Sequence, residues 1–224
     1  MADIPSEDEV LSYFQSLSNW GRWGSKAGSG TINLITPEKR LAATRLVTKG
    51  RPVSLSVPLP VTPTLENSQP VQFYMKRMDK PDGSGAALEY VGIFCHGFTV
   101  THIDALCHVW DENGSWENTD PDENLTFDGG KLGTVDAWSE GILTRGVLLD
   151  ITKLRGRPFV DLDSPVHGWE LDEAAKQQSV TIEPGDAVFV YCGREEYEKT
   201  NRGMYAAQTP YPGLHASCLP FIRE

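Results

Sequence analysis

The stretch HGFTVTHIDALCH, from His96 to His108, holds three of the five histidines of the chain and an aspartate two places after the middle one. On a strand or extended loop, residues an even number apart point to the same side. His96, His102, Asp104 and His108 are all separated by even steps, so one face can present all four. Neutral imidazole and carboxylate together suit Zn²⁺, Mn²⁺ or Fe²⁺, because they mix borderline nitrogen with hard oxygen ligands. Such a cation lowers the pKa of a bound water, and a histidine just off the metal can then move protons. A lone histidine among apolar residues is usually a hydrogen-bonded core residue. Three of them with an aspartate in register favour metal binding or catalysis instead. Cys95 and Cys107 flank the cluster at odd offsets, which aims them at the opposite face as small core residues.

The elements that must position this stretch follow from local patterns. Ser6 and Glu9 form a capping-box pattern ahead of Val10, Leu11, Tyr13 and Phe14, which predicts a short opening helix. The glycine-rich run NWGRWGSKAGSGTINL lacks the lysine of a phosphate loop, since Thr31 follows Gly30, and reads as a surface loop with two tryptophan anchors. Thr36 and Pro37 start a second helix, expected to run to Lys49 and stop at Gly50. PVSLSVPLP alternates like a strand, and residues 61–85 are polar enough to be a long loop or lid. ALEYVGIFC predicts a buried strand entering the histidine segment. GILTRGVLLDI and GDAVFVYCG predict two more, with a helix from Ser164 to Lys176 between them. This order gives a single α/β domain over residues 1–224, with a mixed, partly closed sheet and helices packed outside.

Composition narrows the partners. The chain has 224 residues and a formal net charge of -11, which argues against nucleic acid or an anionic membrane surface. No apolar run approaches the ~18 residues of a membrane span, and the acidic start MADIPSEDEV has no signal-peptide core. Four cysteines without framework spacing read as reduced thiols of a cytoplasmic protein. The sequons at Asn113 and Asn124 then carry no meaning.

The histidine stretch resembles the signature H-x-G-T-H-x-D-x-P-x-H of the cyclase family of metal-dependent hydrolases, which includes bacterial kynurenine formamidase and isatin hydrolase. Thr101, His102, Asp104 and His108 fall on its T, second H, D and last H. GTINLITPEKRLAATRLVTKGRPVSL, THIDALCHVW, GILTRGVLLDI and PGDAVFVYCG agree with a branch of longer members, so the resemblance runs from about Trp20 to the end. It implies a divalent metal, zinc or manganese, held by His102 and Asp104, with His108 as general acid/base. The first His of the pattern falls on Phe98 and its Gly on Val100. His96, two places before Phe98, keeps the strand face and is the candidate third ligand. Leu106 stands at the proline position, a change that costs rigidity more than chemistry. The family's further His and Glu are expected beyond Glu224, so the chain reads as C-terminally shortened, with Leu214, Leu219, Phe221 and Ile222 left as an apolar patch. His215 is a candidate for the missing ligand but reads as an ordinary helix residue, and His167 as a helix-start surface residue.

The activity that the resemblance implies is hydrolysis of an amide, cyclic amide or ester of aryl formamide or lactam type. Trp20, Trp23 and Phe98 are candidates for an aromatic wall. The alternatives are a cyclase or dehydratase step on a polyketide-like metabolite, and a shortened member without turnover. The expected partners are a small-molecule substrate and a second copy in a homodimer.

Overall fold

The computed structural model describes residues 4–64, 67–96, 100–201 and 211–223. In chain order the elements are α1 (Glu7–Ser16), a 3₁₀ segment (Gly24–Leu34), α2 (Pro37–Thr44), β1 (Gln72–Asp79), β2 (Gly85–Gly92), α3 (Pro121–Asn124), β3 (Leu125–Thr126), β4 (Gly129–Gly130), β5 (Gly146–Asp150), α4 (Ile151–Arg155), α5 (Gly168–Gln177), β6 (Ala187–Tyr191), α6 (Arg194–Thr200) and α7 (Leu219–Arg223). The expected α/β class holds, with parallel and antiparallel pairing both present. Among the described residues the strands fall into three pairs: β1 with β2, β3 with β4, and β5 with β6.

The helix starts follow their caps. Ser6 Oγ accepts from the Glu9 N–H at 3.2 Å, and Thr36 Oγ1 from that of Lys39 at 3.2 Å. Helix α2 ends at Thr44, short of the expected Lys49. The Thr44 hydroxyl donates back to the Leu41 carbonyl, a local bond that competes with helix continuation.

The chain divides into two compact units. One comprises Met1–Gly50, Asp104–Tyr197 and Pro212–Glu224; the other comprises Arg51–Ile103 and Glu198–Tyr211. The core of the first unit is built on β5 and β6, which run parallel with Leu148 opposite Phe189. Parallel strands need a crossover, and α5 lies in it. Val147 and Leu149 of β5, Ile151, Val160, Val166, Leu171 and Ala174 of α5, and Cys218 form one buried cluster. Both strands were expected to be buried. Instead Leu148 and Phe189 are exposed, because the packed cluster takes the side that carries Val147 and Leu149; Val188, which faces the same side as Val147, is exposed as well. Of the C-terminal apolar residues, Phe221 packs against the core, while Leu214, Leu219 and Ile222 are exposed.

The second unit carries the antiparallel hairpin β1–β2, in register from Gln72 opposite Gly92 to Asp79 opposite Gly85. Three expectations fail here. Residues 61–85 contain strand β1 instead of one long loop, and β2 is exposed along nearly its whole length. Residues 52–60 form no strand, although their alternation suggested one.

Candidate metal centre

His102 and Asp104 sit on irregular chain after β2, and both are exposed. The His102 Nδ1 lies 2.8 Å from the Val100 carbonyl oxygen. A ring nitrogen facing a carbonyl carries the proton, so Nε2 is the His102 nitrogen that would face a cation. The His96 and His102 rings stand edge to face, with centroids 5.4 Å apart. His96, His102 and Asp104 each offer one ligand atom, and these atoms all lie within 4.8 Å of one another. Tetrahedral ligands about 2.1 Å from one zinc ion sit about 3.4 Å apart. Exposed side chains reach that spacing by small rotations, so a donor set of two imidazoles and a carboxylate fits a divalent cation. Among the described residues this is the group of three or more such side chains gathered closely enough to hold an ion.

His108 follows one tight turn later. Its N–H donates to the Ala105 carbonyl at 3.0 Å, which closes the turn. The turn sets His108 Nε2 3.8 Å from Asp104 Oδ1. Cys107, the residue before His108, is buried and donates its N–H to the Gly133 carbonyl at 3.1 Å. The cysteine is buried and the histidine and aspartate exposed, but strict alternation does not hold, since Thr101, His102, Ile103 and Asp104 are all exposed. Cys95, expected to be a core residue, is exposed.

The other candidates lie elsewhere. Trp23 is half-buried with the Arg22 guanidinium 4.4 Å over its ring, and Trp20 is exposed. Phe98 lies outside the described residues. His215 caps a short 3₁₀ turn, its Nδ1 accepting from the Ser217 N–H at 3.1 Å, and its ring lies 4.6 Å from that of His167. His167 caps α5 and stacks on Trp169 with centroids 4.2 Å apart. These two histidines pair with each other and serve the first unit's packing. Asn124, the first residue of one of the two sequons, is buried: its Oδ1 accepts from the Lys131 and Leu132 N–H groups and its Nδ2 donates to the Leu132 carbonyl.

The comparisons agree with this fold. The model of the Cyclase family matches residues 53–224, and the chain belongs to that family. A structure described as the crystal structure of a novel cyclase superposes with a TM-score of 0.77 at 25% sequence identity, covering 92% of this chain and 74% of that one. No curated protein matches the sequence. No described helix is long and apolar enough to cross a membrane.

Proposed function

We propose that the protein is a metal-dependent hydrolase acting in the cytoplasm on an amide, cyclic amide or ester, of aryl formamide or lactam type. The observation that carries this reading is the grouping of His96, His102 and Asp104 within 4.8 Å, with His108 one turn away. His96, His102 and Asp104 would hold zinc or manganese. Bound there, the cation supplies Lewis-acid polarisation of a carbonyl and makes a water acidic enough to attack at neutral pH. The chain's own residues do the rest. The Val100 carbonyl fixes the His102 tautomer. His108, exposed and beside Asp104, takes a proton from the attacking water and returns it to the leaving nitrogen or oxygen.

Protein purified without chelator should contain stoichiometric metal and turn over a member of a formamide, lactam and lactone panel. His102→Ala and Asp104→Ala should each lose the metal. His108→Asn should keep it while kcat falls by about a hundredfold or more, the usual scale of general acid/base help. Full occupancy in either alanine variant would remove the ligand assignment; loss of metal in His108→Asn would make His108 a ligand.

A second reading is cyclisation or dehydration of a polyketide-like metabolite, favoured by the names of the family and of the solved structure. The same base would then remove a carbon-bound proton. Turnover in ¹⁸O water separates the two, since only hydrolysis places the label in the product.

A further inference from the structure

The turn that carries Asp104 and His108 is seated in part by the half-buried side chain of Leu106. Its methyl groups lie against Gly30 so closely that a Cβ there would come within 2.7 Å of Leu106 Cδ1 and 3.4 Å of Cδ2. Gly30 is buried, and its φ of +52° with ψ of -135° is a backbone shape that favours glycine. On its other side Leu106 meets Gly133, where a Cβ would lie 3.2 Å from Leu106 Cβ, 3.2 Å from Trp116 Cδ1 and 3.3 Å from the Cys107 nitrogen. Gly133 also has a positive φ, +75°. The Trp116 indole N–H donates to the Ala27 carbonyl at 2.9 Å and so ties the wall of this socket to the glycine-rich 3₁₀ segment.

We infer that the socket formed by Gly30, Gly133 and Trp116 around Leu106 is a positioning device for Asp104 and His108, and that this is what the N-terminal glycine-rich segment does. A turn closed by one backbone bond, from His108 N–H to the Ala105 carbonyl, has little stiffness of its own. The inserted Leu106 and the bond from Cys107 to Gly133 fix it from below, which leaves Asp104 and His108 outward with a set separation. Leu106 and the glycines touch no substrate and act only through the turn. The inference rests on the proposed role of Asp104 and His108.

The test compares wild type, Leu106→Ala, which empties the socket, and Leu106→Met, which refills it with a flexible chain of similar volume. Two quantities are read: the affinity of metal-free protein for Zn²⁺ alone, and hydrogen exchange of the Cys107 and His108 amides against that of the β5 amides. Leu106→Ala should weaken Zn²⁺ binding at least tenfold and speed exchange at Cys107 and His108 at least tenfold, with β5 unchanged. Leu106→Met should stay within about threefold of wild type in both. Wild-type affinity and protection in Leu106→Ala would overturn the inference. So would a uniform rise in exchange that includes β5, which would mark a general loss of stability. If wild type itself binds no Zn²⁺, the metal reading falls, and the exchange comparison alone decides for or against the socket.

Discussion

Asp186 is a residue on which separate parts of the first unit converge. Its side chain is fully buried and accepts from Lys39 Nζ at 2.7 Å, from the Glu183 N–H at 2.8 Å, and from the Arg145 guanidinium. Burial by itself would raise its pKa, but the hydrogen bonds from Arg145 and Lys39 outweigh that and hold the carboxyl at about 2, below its ordinary 3.8. A carboxyl whose pKa is lowered by folding stabilises the fold above its unfolded value and loses that contribution as pH falls through the folded one. The loss therefore spans pH 4 down to about 2, and is worth about 2 kcal/mol. Asp186→Asn keeps the volume but leaves Lys39 and Arg145 beside a neutral amide. It should cost about 2 kcal/mol at neutral pH in urea denaturation, discounted because Arg145 is partly exposed. The variant should also flatten the acid limb of the stability curve. Parallel wild-type and variant curves across that limb would show that the ion cluster does not set it.

At the scale of elements, α5 is docked to the C-terminal segment by a joint of two histidines. Val166 donates to the Gly213 carbonyl and accepts from the His215 N–H, at 3.0 and 2.8 Å. His167 Nδ1 lies 3.0 Å from Ser217 Oγ, and the His167 N–H donates to Glu170, which in turn pairs with Arg155. Burial, and after it the neighbouring His215, lower the His167 pKa below its usual 6.5, with Glu170 opposing and Arg155 adding to the effect. Below about 6.5 the unfolded chain then binds this proton more readily than the folded one, so the joint weakens as pH falls. Exchange at the His215 and Cys218 amides, corrected for intrinsic rate, should rise as pH drops from about 7 to about 5. His167→Asn keeps a good capping side chain and should remove that rise. An unchanged pH dependence in the variant would assign the effect elsewhere. The contrast with the other helix starts shows what was legible. Ser6 and Thr36 are capping residues that announce themselves locally, whereas His167 was legible as a helix-start residue but not as one packed against His215 and Ser217. The histidine–aspartate cluster was legible because both its even spacing and its motif lie in one short stretch. Strand β1 was not, since Phe73, Tyr74 and Met75 break any alternation and both faces of the hairpin are exposed. Nor was the Leu106 socket, because the reason for Gly30 is a side chain far along the chain.

For the molecule as a whole, the second unit poses the open question of what covers it. Phe73 and Met75 are exposed on one face of the β1–β2 hairpin; Tyr74, Tyr90 and Leu88 are exposed on the other, the two tyrosines stacked with centroids 4.6 Å apart. Val53, Leu55, Val57 and Leu59 alternate along the same unit and are exposed too. A two-stranded hairpin without a third strand or a packed face is marginal in water. Large exposed apolar surface is a mark of association sites, and exposed alternating chain is suited to pairing with a strand edge. A homodimer through this unit satisfies both demands. The net charge of -11 opposes it, so association should tighten as salt rises through screening of that repulsion. Sedimentation of wild type should give a dimer whose dissociation constant falls with added salt. Leu55→Lys and Tyr90→Lys should each raise that constant at least tenfold. A wild-type chain that sediments as a monomer at high protein and salt concentration would refute the dimer. Unchanged association in both lysine variants would place the interface on another surface, with the exposed Leu148 and Phe189 of the β5–β6 pair the next residues to replace.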